Sequence, residues 1–244
     1  MTGHLSDYTT LTFDCYGTLI DWESGIWDAY QPLIAAGGRG DITRSEALAV
    51  HARLESAQQG ETPGMLYPDL LSRVHAGFAR HHAIATTPEM DAAFGASIAR
   101  WPAFADTADA LRRLKKRYRL VILSNVDRAG FAASNAKLGV AFDAIYTAED
   151  IGSYKPDRRN FSYMLERLEA DHGVARDQIL HTAQSLFHDH VPAGDFGLAR
   201  AWIDRQGLSE GGAWGATAEV ADRPEVDFLF PTMAAMADAV EAEG

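Results

Sequence analysis

The chain has 244 residues, room for one large domain or for a core that carries a smaller insert, and its 47% hydrophobic and 23% charged residues exclude a disordered or fibrous protein. A lone cysteine, Cys15, excludes an internal disulfide and fits a reducing compartment. With 22 basic against 34 acidic residues the net charge is −12, which works against nucleic acid or an acidic membrane surface as a partner.

The opening MTGHLSDYTT has no basic stretch leading into an apolar run, and no stretch approaches the ~18 apolar residues that a membrane span needs. The chain therefore reads as cytoplasmic. Residues 9–14, Thr-Thr-Leu-Thr-Phe-Asp, have β character, end on a carboxylate and pass into a Gly17-Thr18 turn, which predicts a first strand. Helical spacing follows. Ile26, Tyr30, Leu33 and Ile34 form one apolar stripe, Leu48 and Leu54 a second, Leu71, Val74 and Phe78 a third, and Phe94 with Ile98 a fourth. Thr43-Arg-Ser-Glu46 fits a capping box at a helix start. A helical insert over 20–98 is the result, and the chain returns through Trp101-Pro102 and a helix from Asp106 to Arg117.

Short apolar runs then recur at Leu120–Leu123, Ala144–Tyr146, Ile179–Ala183 and Ala201–Ile203. Most are separated by helix-period segments such as Asp157–Glu169, where Phe161, Met164, Leu165 and Leu168 share a face. Alternating strands and helices predict an α/β fold: a doubly wound, parallel, Rossmann-like sheet, with 1–19 and 99–244 as core and 20–98 as an inserted helical cap. Gln206–Pro224 reads as a surface loop, Asp227–Phe230 as an edge strand, and Met233, Met236 and Val240 as the face of a closing helix.

In an open parallel sheet, ligands bind where the carboxyl ends of the strands converge. Those ends carry Asp14, then Ser124-Asn125, then Lys155, then Gln184-Ser185 and Asp189. Together they describe a site in which an aspartate attacks an anionic reactant. Lys155 would keep Asp14 ionised, Thr18 would orient it from the turn, and Asp189 would hold Lys155 or place a water. Ser124 and the N–H groups that follow Asp14 and Ser124 would bind two oxygens of the reactant. Each residue alone is ordinary turn chemistry; four strand ends with complementary groups are not.

The segment Phe13-Asp14-Cys15-Tyr16-Gly17-Thr18-Leu19, the pair Ser124-Asn125 and the run Tyr154-Lys155-Pro156-Asp157 resemble the first three signatures of the haloacid dehalogenase superfamily. Trp101-Pro-Ala-Phe-Ala-Asp106 is similar to its 2-haloacid dehalogenase branch. Tyr16 stands where phosphatases of the superfamily place the aspartate that protonates a leaving oxygen. Halide is a stable anion and needs no such proton. The resemblance implies a hydrolase of short 2-haloacids that works through an ester on Asp14, with Ser124 and the N–H groups of Cys15, Tyr16 and Asn125 on the substrate carboxylate. It implies no cofactor, no metal, and a homodimer. Arg44, with Arg39 as the alternative, is the nearest candidate for the cap arginine with which known members cradle the halide. Phe161 stands where they have tyrosine, and Gln184-Ser185-Leu186-Phe187-His188-Asp189 differs from their Ser-Ser-Asn-Ala-Trp-Asp, which points to a different pocket. Ser185 joins the substrate-binding candidates. His188 is a candidate base for the hydrolytic water, oriented by Glu23 or Glu55. The rival readings are attack on another activated carbon, such as that of a small-ring amino acid, attack on a phosphate ester, or an idle binding protein.

Overall fold

The structure, a computed structural model, describes residues 3–244. Its centre is strand β1 (Thr10–Phe13), whose four residues are all buried, as a strand covered on both faces requires. β1 pairs in parallel with β2 (Arg119–Ser124) on one side and β4 (Ile179–Ala183) on the other. β3 (Ala144–Thr147) extends the sheet beyond β2, and β5 (Ala199–Ile203) and β6 (Phe228–Phe230) extend it beyond β4, in the order β3-β2-β1-β4-β5-β6. Every pairing is parallel. The chain leaves β1 toward one edge and later returns to its other side, so the order reverses at β1 and a crevice opens over the carboxyl ends of β1, β2 and β4. Register sets the level: Phe13 lies opposite both Ile122 and Thr182, which brings Asp14, Ser124 and the residues after Ala183 to one end of the sheet.

Helices α1 (Trp22–Ala36), α2 (Arg44–Glu61), α3 (Tyr67–His81) and α4 (Pro88–Gly95) stand between β1 and β2. They pack on one another around Tyr30, which is fully buried and stacked on Phe78 with ring centroids 3.9 Å apart. Thr43 supplies half of the expected capping box, its hydroxyl accepting the Glu46 N–H at 3.2 Å. Gly25 lets α1 meet the core, because a Cβ there would lie 2.3 Å from the buried Trp101 ring. The remaining helices are α5 (Thr107–Leu114), α6 (Arg128–Leu138), α7 (Ala148–Ile151), α8 (Arg158–His172), α9 (Val191–Asp195) and α10 (Met233–Ala242). α5 ends at Leu114 rather than Arg117, because the following residues turn directly into β2. Residues 206–224 form the expected loop, apart from one short turn at Leu208–Glu210. No helix among the described residues is long and apolar enough to cross a membrane.

Candidate active site

Asp14 follows the last residue of β1 and is 6% exposed. Its Oδ1 accepts from Lys155 Nζ at 2.9 Å and its Oδ2 from the Thr18 hydroxyl at 2.9 Å. Thr18 is in reach because the chain folds back at Gly17, whose φ of +96° is costly for any residue with a Cβ. The Thr18 hydroxyl in turn accepts the Gln184 N–H at 2.9 Å, which ties the β1 turn to the end of β4.

Lys155, 1% exposed, donates three bonds: to Asp14, to Asp189 Oδ1 at 2.7 Å and to the Leu123 carbonyl at 2.9 Å. The Asn125 side chain clamps its backbone, accepting the Lys155 N–H at 2.7 Å and donating to its carbonyl at 3.0 Å. Asp189 sits in a single π-helical turn, Leu186–His190, the kind of irregular turn often found at functional sites. Ser185 caps that turn, its hydroxyl accepting the His188 N–H at 3.0 Å while lying 3.1 Å from His188 Nδ1. A residue with no place in the sequence reading, His181, completes the support. It bridges Thr12 Oγ1 at 2.8 Å and Asp189 Oδ1 at 3.1 Å, and its signal was a polar side chain inside a wholly buried strand.

The electrostatics separate the two carboxyls. Burial raises Asp14 above its ordinary value and outweighs Lys155, so Asp14 is the more basic oxygen donor. Burial also works against the charge of Asp189, but the Lys155 ammonium and His181 hold that carboxyl well below the usual range. Two anionic neighbours more than offset the desolvation of Lys155 and keep it protonated. Burial lowers His188 to about 4, so it is neutral near pH 7.

Asp14, Lys155, Asn125, Ser185, His188 and Asp189 line one small cavity of about 60 Å³. Tyr16 joins them, but its hydroxyl lies 3.0 Å from Ser134 Oγ. Trp22, Glu55, Gln59 and Tyr67 form the wall from the cap helices; Gln59 and Tyr67 carried no signal beyond helical spacing. Ser124 and Cys15 are not among the residues that line the cavity; the Ser124 Oγ is buried and unpartnered, and the N–H groups of Cys15, Tyr16 and Asn125 donate to no acceptor among the described residues. The Cys15 side chain is fully buried, and burial pushes its thiol well up.

Three expectations meet a different geometry. Arg44 opens α2, about 16 Å of helix away from Glu55, is exposed, donates to Ser24 Oγ at 3.1 Å and lines a separate pocket beyond Trp22. Arg39 is tied to Asp41 and the His82 carbonyl. Neither cap carboxylate touches His188: Glu23 accepts the Ala216 N–H, and Glu55 accepts the Tyr67 hydroxyl. Among the described residues no three His, Cys, Asp or Glu side chains gather as a metal would require, and the cation between the two carboxylates is Lys155 itself.

A buried aspartate bonded to a lysine at the switch point of a parallel sheet, with helices inserted after the first strand, is the fold and site of a hydrolase class. Residues 8–181 match the model of the haloacid dehalogenase-like hydrolases, and the chain belongs to that family. It is 36% identical over 106 residues to an (S)-2-haloacid dehalogenase of Pseudomonas fluorescens, a match that takes in 42% of this chain and only 44% of that relative's length. It is 27% identical over 236 residues to (S)-2-haloacid dehalogenase H-109 of Pseudomonas putida, covering 90% of this chain and 97% of that one. Its fold is shared with L-2-haloacid dehalogenase from Xanthobacter autotrophicus, solved with chloropropionic acid covalently bound, at a TM-score of 0.76 and 20% identity over 97% of this chain and all of that one.

Proposed function

We propose that the chain hydrolyses the carbon–halogen bond of short 2-haloacids through an ester on Asp14, giving 2-hydroxyacid and halide. The observation that carries this reading is Asp14 itself: a carboxylate on a lysine, facing a cavity too small for a large substrate, with a tyrosine hydroxyl turned toward Ser134 where a phosphatase would need a second acid. In the first step an Asp14 oxygen attacks C2 of the substrate, and the carbon–halogen electron pair leaves as halide. The N–H groups of Tyr16 and Asn125, which line the cavity, and the Cys15 N–H and Ser124 hydroxyl next to them in the chain are unfilled donors that suit the substrate carboxylate. In the second step water adds to the Asp14 side-chain carbon and the ester breaks, which returns one water oxygen to the aspartate. The unpartnered Asp189 Oδ2 and the neutral His188 ring are the groups that face such a water.

The lone buried Cys15 suits the cytoplasm, the acidic surface suits a free small acid rather than nucleic acid, and light scattering tests the homodimer. Incubation with 2-chloropropionate in chelator is expected to release chloride, and Asp14→Asn to release none. Turnover confined to a phosphate ester with magnesium would overturn the reading.

A further inference from the structure

The cap wall of the cavity holds a carboxyl group that the two steps above leave unused. Glu55 lines the same cavity as Asp14 and keeps 12% of its side-chain surface open. Its Oε1 accepts the Tyr67 hydroxyl at 2.6 Å. Its Oε2 lies 3.8 Å from His51 Nε2, too far for a hydrogen bond, and that nitrogen is buried without a partner. The groups facing Glu55 are His51 from α2, Tyr67 from α3, Tyr30 from α1 beyond His51, Tyr154 from the loop before α8, and Asp14, Tyr16, Lys155, His188 and Asp189 across the cavity.

Among these, Lys155 is the only cation, and it is bound to Asp14, Asp189 and the Leu123 carbonyl. His51 is neutral, since burial lowers it to about 3. Glu55 therefore has no counter-charge. Asp14 and Asp189 against Lys155 leave one net negative charge, a bound haloacid adds a second, and an ionised Glu55 would add a third inside about 60 Å³. Like charges at such range favour the neutral acid. Burial acts in the same direction and raises Glu55 to about 7.

We propose that Glu55, as a neutral carboxylic acid, is a further catalytic residue that donates a hydrogen bond from Oε2 to the halogen as it leaves C2. The inference rests on the dehalogenase reading. Displacement is in line, so the halogen departs on the side opposite Asp14, toward the wall made by Trp22, Glu55, Gln59 and Tyr67. Tyr67 already donates to Oε1, which leaves Oε2 to carry the proton. Arg44 lies in another pocket, so the wall depends on its own donors. No proton is transferred in the step: the Asp14–C2 bond forms, the carbon–halogen bond breaks, and the acid proton stays on Glu55. Fluoride, the most basic halide, gains most from such a donor, and bromide least. An ionised Glu55 would instead repel the leaving anion.

The test is halide release from 2-fluoro-, 2-chloro- and 2-bromopropionate between pH 5 and 9 by the wild type, Glu55→Gln and Glu55→Leu. In the wild type kcat/KM is expected to fall about tenfold per pH unit above ~7. Glu55→Gln keeps an N–H donor and cannot ionise, so its profile should run level through that range and overtake the wild type above ~pH 8. Glu55→Leu should lose roughly 10²-fold, most with the fluoride substrate. An alkaline limb that persists in Glu55→Gln overturns the inference alone, as does an equal loss for all three halogens in Glu55→Leu. If the leucine variant does not fold, the Gln profile decides. A wild type that releases no halide from any of the three overturns the dehalogenase reading and the inference with it.

Discussion

Lys155 is the residue on which the site turns, because it places one ammonium between two buried carboxylates. Lys155→Met would leave Asp14 and Asp189 facing each other without a cation, and breaking a buried pair this way costs about 3–5 kcal/mol. Halide release should vanish with it; a denaturant midpoint within ~1 kcal/mol of the wild type would show that the pair is not held as described. His188 is separable from this pair. Its Nδ1 lies against Ser185 and its ring lines the cavity, which leaves the other ring nitrogen to act as a base. If that nitrogen takes the proton of the hydrolytic water, His188→Asn should let the ester form but not break, and intact-protein mass spectrometry after substrate addition should show a stable adduct on Asp14. Sustained turnover without adduct would remove His188 from the second step. Asp14 and Ser124 were legible in the sequence because each closes an apolar run, and Lys155 because it stands in Tyr154-Lys155-Pro156-Asp157; it lies beyond α7 rather than at the end of β3 as the strand-end pattern predicts, because the chain makes a short helix before it turns back to the site. His181 was missed because one polar residue in a buried strand does not announce its partner.

The elements place these residues by two different rules. β1, β2 and β4 do so by register, which follows directly from their order and parallel pairing. The cap helices do so by how closely they approach the core, and Gly25 sets that approach for α1. A methyl group there would meet the Trp101 ring at 2.3 Å, and that ring is held by its own bond to Ser97 at 3.0 Å. Gly25→Ala is therefore expected to cost about 1–3 kcal/mol by overpacking. Gly60 is the control: it lies in the last turn of α2 with open space around it, so Gly60→Ala should gain roughly 0.5–1 kcal/mol. Thermal melts of the pair should shift in opposite directions; two shifts of the same sign would mean that helix propensity, not the Trp101 contact, decides both. Helical spacing in the sequence finds the cap helices by their apolar stripes, although Ile98 falls in a 3-10 segment beyond the end of α4, and it does not show which of their residues reach the crevice.

At the scale of the whole molecule, burial of titratable groups sets how stability depends on pH. Burial lowers His51 to about 3 and His188 and His190 to about 4, so each is neutral in the folded chain and takes up a proton on unfolding between those values and ~6.5. Their contribution is complete above the unfolded value and is lost as pH falls. Glu55, raised to about 7, works in the opposite sense: the folded state holds its proton, so stability from that group is present below ~4.5 and lost as pH rises through 7. Asp14, also raised, adds to the opposite side. Near pH 5.5 these five groups together should take up one to two protons net on unfolding, a share of stability that falls by about 1.4–2.7 kcal/mol per pH unit on acidification; burial also lowers His75 and His82, which adds to that fall, and raises Glu23, which opposes it. Denaturant unfolding at pH 7, 6 and 5 checks this, and stability that is level or rising toward pH 5 would contradict it.

The α/β class, the parallel sheet, the strand-end aspartate and its lysine follow from the sequence by itself, because strand and helix periods and the residues at strand ends are local properties of the chain; the order of the strands does not, because it depends on which strands pair. Only the tertiary structure decided that Arg44 faces another pocket, that Trp22, Glu55, Gln59 and Tyr67 close the cavity, and that Tyr16 turns its hydroxyl to Ser134. The reason is physical: which turn of a helix meets the core, and how much water is removed from a carboxyl when it does, depend on contacts between residues far apart in the chain. No local pattern carries either quantity.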